Sequence, residues 1–354
     1  MKRLILFGLL AVVLIAGYEA FDILRFGHTA IGSTADEKIV EIPNGMTLNK
    51  LASVLKEQGL ISDTYKLRLY SKITGHGRHI KRGEYKITGS MTPEAILDLV
   101  ASGKSIQYAL TFPEGSNIYD MAEILDTRGI IKGKDFLTLV KDPQFVQASI
   151  GMAAPSLEGY LYPETYDITR FTSVKELVRM MLEKFKHNYA DLEKTAAVKL
   201  SEHEIVTLAS VVEKETGAPE ERPKIASIFY NRLKKGMPLQ SDPTILYGII
   251  DETGKPTNNI TKADITRPNR YNTYTVKKLP YGPIANPGRE ALKATMNPAQ
   301  TEYLYFVSRN DGTHVFTSTY ADHLKAVKSF QLNPSAREGK SWRDLKKHAN
   351  APAN

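Results

Sequence analysis

The chain resembles itself, and that repetition constrains its fold more than any other feature. The stretch "PNGMTLNKLASVLKEQGLI" at residues 43–61 resembles "PEGSNIYDMAEILDTRGII" at residues 113–131. The prolines, both glycines and the pairs Ala52/Ala122, Leu55/Leu125 and Ile61/Ile131 stand in register. A second pair follows, "YKITGSMTPEAILDLV" at 85–100 against "YDITRFTSVKELVRMM" at 166–181. Each copy reads as strand, P-x-G turn, helix, helix, strand, helix. In the first copy Leu48, Leu51, Ala52 and Leu55 recur at helical spacing and Gly59 ends the run. Thr92-Pro93-Glu94 reads as a helix start, a capping threonine followed by proline at the first helical position. A duplicated unit of this kind predicts an α+β fold. The second copy carries an insert, "LEGYLYPETY" at 157–166, which adds Glu158, Tyr160, Tyr162, Glu164 and Tyr166. Aromatic faces beside carboxylates suit sugar rings. The same alternation also fits a half-buried strand.

Lys2 and Arg3 precede an apolar run at residues 4–18, shorter than the roughly 20 residues of a typical membrane span. That length fits a signal-peptide core, but the flank "LIAGYEAFD" offers no small-x-small cleavage site. Ala20, Phe21, Ile23 and Leu24 extend the run. The expectation is an uncleaved anchor, with Lys2 and Arg3 holding the N-terminus in the cytoplasm and the rest of the chain outside. After Phe330 the chain is polar and reads as a loose tail.

Exclusions narrow the chemistry. The 354 residues suggest two or three domains. The net charge of +8 favours anionic surroundings, but no RNP-like aromatic–basic strand is present and nucleic acid is discounted. Without cysteine there are no disulfides, thiolate nucleophiles or cysteine-ligated zinc. "VASGKS" lacks the first glycine of a phosphate-binding loop, because Asp98 stands there. His203-Glu204 lacks the second histidine of a helical zinc site, because Thr207 stands there. No G-x-S-x-G elbow occurs. His314 and His323 read as structural. Carboxylate chemistry supported by aromatics, amides and hydroxyls remains.

The candidate carboxylates lie in "ASVVEKETG", residues 209–217. A helix is expected over 203–216, with Ile205, Leu208, Ala209 and Val212 on one face. Another opens at Ala218-Pro219-Glu220-Glu221, acidic in its first turn, and runs to Gly236. "MPLQSDPTILYG" and "YNTYTVKKLPYGPIANPG" read as loop-rich, and a hairpin is expected around Asn310-Asp311-Gly312. On a helical wheel Glu213 and Glu215 border the apolar face on opposite sides and Lys214 points to solvent, so periodicity does not choose between the acids. Position favours Glu215. It lies in the last turn, with Gly217 as the expected stop and Pro219 beyond. The negative end of the helix dipole and burial beside Leu208, Val211 and Val212 both disfavour an ionised carboxylate there. A carboxyl that keeps its proton is what a general acid requires. Both acids also fit the solvated end of an ordinary helix.

In the order "ASVVEKETG", "IASIFYNRLKKGMPLQSDPTILYG", "YNTYTV", "GPIANPG" and "HVFTSTYADH", behind an apolar N-terminus and a P-x-G repeat, the chain resembles the YceG-like endolytic murein transglycosylases. The resemblance runs from the anchor to about residue 330. It implies a single-pass inner-membrane protein with its catalytic domain in the periplasm. The implied α+β architecture has a cytoplasmic tip and transmembrane helix (1–26), a LysM-like unit (38–105) and a YceG-like catalytic domain (106–332). That domain combines a second copy of the LysM-like unit (106–190) with a catalytic core (200–332), and a polar tail follows (333–354). The resemblance places the catalytic acid on Glu215. It places substrate-binding residues on Gln240, Ser241, Asp242 and Thr244 of "LQSDPT", on Tyr271, Asn272, Thr273 and Tyr274 of "YNTY", and on Glu158 and Tyr162. The chain departs from the family pattern at Tyr162, Glu164 and Tyr281, the last where a second proline is usual before "GPIA". Neither metal nor cofactor is implied. The implied substrate is the glycan strand of peptidoglycan, cut internally to leave 1,6-anhydro-N-acetylmuramic acid ends and end nascent-strand elongation near the synthases that polymerise it. A muramidase hydrolysing the same bond with water, and a non-catalytic wall-binding scaffold, are the alternatives.

Overall fold

A computed structural model describes residues 2–33, 36–195 and 198–333. The expected polar tail, from 334 onward, lies outside the described residues, as do the side chains of Lys2 and Arg3. The chain opens with α1 (Lys2–Gly27) and then runs β1 (Glu37–Ile42), α2 (Leu48–Glu57), α3 (Thr64–Thr74), β2 (Gly83–Thr88) and α4 (Pro93–Ser102). A related series follows: β3 (Tyr108–Thr111), α5 (Ile118–Arg128), α6 (Gly133–Val140), α7 (Pro143–Ile150), β4 (Thr165–Ile168) and α8 (Val174–Ala190). The remainder comprises α9 (Glu202–Glu215), α10 (Arg222–Lys234), α11 (Asp242–Thr253), α12 (Lys262–Thr266), α13 (Arg289–Met296), β5 (Tyr305–Ser308), β6 (His314–Thr317) and α14 (Tyr320–Val327). The fold is mixed α+β. Its strands pair only in twos, β1 with β2, β3 with β4 and β5 with β6.

The order of elements in the second series repeats the first, with α7 and an irregular segment added between α6 and β4. Two compact units result, Met1–Leu110 with Tyr166–Thr172, and Thr111–Thr165 with Ser173–Asn354.

In the first unit β1 and β2 are antiparallel, with Val40 opposite Tyr85 and Ile42 opposite Gly83. Their inner face packs on Leu51 and Leu55 of α2, Leu67 and Tyr70 of α3, and Ile96 and Leu97 of α4. The expected start of α4 is observed: Thr92 accepts the Ala95 N–H at 3.2 Å, and Pro93 follows. The N-terminal helix is longer than the apolar run that announced it. Residues Ile5–Gly27 are long and apolar enough to cross a membrane. Its last turns behave differently from the rest. Ile23 and Phe26 are buried in the core of this unit, and Asp22 pairs with Lys66 of α3 at 2.5 Å. Gly27 sits against the Tyr70 ring, where a Cβ would collide. Ile23, expected to lengthen the span, therefore anchors the helix to the unit below it.

The second unit is organised around α9. An amphipathic helix with one apolar face was expected there, yet every residue from Ile205 to Val212 is buried. A helix apolar on all sides belongs in a core, and this one packs against α10, α11 and α13. Its small polar residues satisfy themselves: Ser210 Oγ donates to Thr207 C=O at 2.7 Å and accepts the Ile284 N–H at 3.0 Å. A Ser201–Glu204 capping box starts the helix. Thr216, not Gly217, ends it. Thr216 turns extended (φ −144°, ψ 140°), and its hydroxyl accepts the Ala218 N–H at 2.9 Å.

"SDPTILYG", expected as loop, forms the start of α11. Pro243 occupies the first turn, and Ile245, Tyr247 and Ile250 carry the buried face. The hairpin around residues 310–312 is present, with β5 and β6 antiparallel and Phe306 opposite Phe316. The insert is not a half-buried strand. Residues 157–164 are irregular, and Gly159 adopts φ +88°, with Pro283 and Val206 so close that a side chain would strike them. This close approach seats the insert on α9.

Candidate active site

Glu215 is the last residue of α9, and its carboxyl faces the two loops whose motifs stood out in the sequence. Ser241 Oγ donates a hydrogen bond to Glu215 Oε1. Ser241 is itself held: its N–H donates to Thr273 Oγ1 at 3.0 Å, and its C=O accepts from Thr244 Oγ1 at 2.6 Å. Thr244 and Thr273 share a hydroxyl contact at 2.9 Å, and the Gln240 N–H donates to the Thr273 C=O at 3.1 Å. "LQSDPT" and "YNTY" are therefore laced together, and the lacing fixes one hydroxyl on one carboxyl. The geometry requires Gln240 to take φ +52°, a left-handed conformation that side chains other than glycine rarely adopt.

Electrostatics then set the proton. Burial pushes the Glu215 carboxyl up to about 7, Asp242 adds to the rise, and the Ser241 hydrogen bond and the Arg232 charge oppose it. At neutral pH the group carries a proton for much of the time and exists as carboxylate for the rest. Asp242, at the first turn of α11, is exposed and accepts the Tyr274 hydroxyl at 2.6 Å.

Glu213 does something else. It accepts from Arg222 Nη2 at 2.9 Å and from the Gly288 N–H at 3.0 Å, pinning "GPIANPG" to α9. Lys214, expected to point away into solvent, is exposed but donates to the Gly115 C=O at 3.1 Å. The P-x-G turn of the second repeat thus rests on the end of the helix that carries Glu215. Periodicity left the two acids equal, and their partners separate them.

The other sequence-flagged residues fall into two groups. Ser241, Thr244, Tyr271, Asn272 and Thr273 are at most 1% exposed. Tyr271 packs edge-on to Tyr247 with centroids 4.8 Å apart. Asn272 Nδ2 donates to the carbonyls of Asp264, Ile265 and Arg267, closing the end of α12. Glu158 (1% exposed) and Tyr162 (7%) are also interior. Glu158 accepts the Ile118 N–H at the start of α5 at 2.9 Å and Asn286 Nδ2 at 2.8 Å. Burial pushes its carboxyl up to about 8. Gln240, Asp242 and Tyr274 are the flagged residues that, like half-buried Glu215, are not fully buried.

Two further residues were not legible. Arg232 is buried, donates to Leu304 C=O at 2.7 Å and Leu239 C=O at 2.5 Å, and supplies the positive charge near Glu215. In "YNRLKKG" it looks like one of three cations at a solvated helix end. Asn286 bonds to buried groups of Gly159, Leu161, Ser116 and Glu158, and nothing in "GPIANPG" marks it. Among the described residues His76, Glu94 and Asp98 lie close enough together to hold a metal ion. However, His76 Nδ1 and Nε2 face different carboxylates, Asp98 at 2.5 Å and Glu94 at 3.3 Å, so the group reads as hydrogen-bonded pairs.

The geometry predicts opposite pH shifts for two neighbours. Ser241→Ala removes a hydrogen bond that favours the carboxylate, so the Glu215 pKa rises. Asp242→Asn removes a like charge, so it falls. The alkaline limb of the kcat/KM profile, where the acid loses its proton, should move up in the first variant and down in the second.

The YceG-like family profile matches residues 40–329. The chain belongs to the YceG-like family. Among YceG-like relatives, the endolytic murein transglycosylase of Bacillus subtilis (strain 168) is 31% identical over 309 residues, covering 82% of this chain and 84% of that protein. The endolytic murein transglycosylase of Streptococcus pneumoniae (serotype 2, strain D39) is 29% identical and covers 90% of this chain, which spans 63% of that protein's length. The crystal structure of a YceG-like protein from Listeria monocytogenes matches with a TM-score of 0.56 at 30% identity, over 82% of this chain and 99% of that one.

Proposed function

We propose that this YceG-like protein is a lytic transglycosylase that cuts peptidoglycan glycan strands internally, between N-acetylmuramic acid and N-acetylglucosamine. One observation carries it: a single carboxyl, Glu215, enclosed at the end of a core helix, poised by burial near pKa 7 and gripped by Ser241. A group so poised serves as acid and then as base. Protonated Glu215 gives its proton to the glycosidic oxygen as the C1–O bond breaks. The resulting carboxylate takes the proton of the muramic acid C6 hydroxyl as that oxygen bonds to C1. Protons balance, no water enters, and the product ends in 1,6-anhydro-N-acetylmuramic acid. The nucleophile is already on the substrate, so positioning replaces a bound water.

Gln240, Asp242 and Tyr274 position the sugar. Ser241, Thr244, Tyr271, Asn272, Thr273, Glu158 and Tyr162 hold the loops that carry them. The apolar helix anchors the chain, with the N-terminus cytoplasmic and the chain beyond the helix outside. Along the chain a LysM-like unit at 38–105 and its second copy at 106–190 precede the strand-cutting core. Cleavage there would end elongation of nascent strands beside the synthases.

A hydrolytic reading has one observation in its favour. Asp242 is exposed and lies close enough to act on the Glu215 charge, as the second carboxylate of a glycosidase would. Mass spectrometry of digested sacculi separates the two. Anhydro-muramyl ends are expected, and reducing ends throughout would overturn the transglycosylase reading.

A further inference from the structure

The first turns of α9, away from Glu215, border a cavity of about 570 Å³, a size suited to a small ligand or a short peptide. Its walls are largely apolar, with Leu200, Leu233 and Leu279 among them. The polar groups on it are mostly donors. Lys278 is exposed and makes no ion pair among the described residues. His203 Nδ1 lies 2.9 Å from the Tyr160 hydroxyl. Burial raises the Tyr160 pKa and lowers that of His203, so the phenol donates and the neutral ring keeps its proton on Nε2. Glu204 is the one acid on this wall, and its carboxylate is engaged by the Ser201 N–H and hydroxyl at 2.8 and 2.7 Å. Arg270 is fixed by Asp251 at 2.7 Å and lies 4.7 Å over the Tyr281 ring, which is 56% exposed.

Apolar walls with a cation and a ring N–H suit a ligand that carries carboxylates and small apolar side chains, which a plain sugar does not. We infer that this cavity receives the acidic peptide borne by a muramyl residue of the strand whose glycan lies at Glu215; the inference rests on the transglycosylase reading. The placement fits. The wall at 276–281 begins two residues after Tyr274. Thr207, on the cavity, precedes Glu215 by eight residues, about 12 Å along the helix axis. Four extended peptide residues span about 13 Å.

The test compares peptide-bearing glycan strands with the same strands stripped by an amidase. The readout is the ratio of kcat/KM on the two substrates for wild type, Lys278→Glu and Tyr281→Ala. Both side chains are exposed, so neither change removes core packing. The wild type should prefer peptide-bearing strands, and Lys278→Glu should lower the ratio by about tenfold, the effect of one charge-assisted contact. Tyr281→Ala should lower it in the same direction. An unchanged ratio in both variants would overturn the assignment. So would a parallel loss on both substrates, which would make the cavity a glycan subsite. Failure of the wild type to leave anhydro ends on either substrate would instead overturn the transglycosylase reading, before any variant is compared.

Discussion

Replacing Glu215 by glutamine should lower kcat by about a thousandfold, the middle of the range for losing a general acid–base group, while leaving the fold intact or firmer. Glutamine keeps the shape and still accepts the Ser241 hydroxyl, but it has no proton to give. Stability is the second half of the expectation. The folded pKa of about 7 exceeds the ordinary carboxyl value of 4.5, so the folded state binds the extra proton. The wild type therefore loses stability as pH rises through that window. Glu215→Gln is free of this loss and should exceed the wild type by on the order of 3 kcal/mol at pH 8, with no difference below pH 4. Glu213→Gln supplies the contrast. It weakens the pair with buried Arg222 and should cost about 2 kcal/mol of stability, while kcat per folded molecule stays near wild type. Steady-state kinetics and urea denaturation at both pH values read this out. Loss of activity in Glu213→Gln alone would reverse the assignment of the two acids.

Asn286→Ala should be the most destabilising single change in the second unit. The Asn286 side chain is fully buried. Its Oδ1 accepts the N–H groups of Gly159 and Leu161 at 2.8 and 3.0 Å, and its Nδ2 donates to the Ser116 C=O at 3.0 Å and Glu158 Oε1 at 2.8 Å. One amide thus ties together the insert, the P-x-G turn of the second repeat and the loop on Glu213. Alanine strands the Gly159 and Leu161 N–H groups and the Glu158 oxygen away from water, while the Ser116 carbonyl keeps the backbone N–H of residue 286 at 3.0 Å. At roughly 1–3 kcal/mol for each unsatisfied group, partly relieved by water entry, the expected cost is about 4 kcal/mol. Asn286→Asp keeps the shape but sets an acceptor against the Ser116 carbonyl, and it should not rescue fully. A thermal shift of only a degree or two would show that the insert is held by other contacts.

Much of this site is readable from residue order alone, and the limits have physical causes. The repeat announces the element order because prolines and glycines mark turns that only certain backbones can make. Helix position only leans towards Glu215, because the end of a helix acts on charge in a known direction but Glu213 also lies near that end, and the family resemblance makes the choice. The partners of Glu213 are invisible, since Arg222 and Gly288 come from segments 9 and 75 residues away. "SDPTILYG" hides a helix because Ser, Asp and Pro mark turns and helix starts alike, and only the burial of Ile245, Tyr247 and Ile250 decides. The tyrosine, asparagine and threonine of "YNTY" resemble sugar-binding groups by type. Three of the four face inward, because a loop that must hold Ser241 steady needs its own polar core. Arg232 is missed for the opposite reason, being a charge that looks solvated and is not.

The most direct test concerns the nucleophile. Strands digested in water enriched in oxygen-18 and analysed by mass spectrometry should yield anhydro-muramyl ends that carry no label, because the oxygen bonded to C1 comes from the sugar's own C6 hydroxyl. Glu215→Gln should form new ends about a thousandfold more slowly. New reducing ends labelled with oxygen-18 would contradict the assignment and make the protein a hydrolase acting through water.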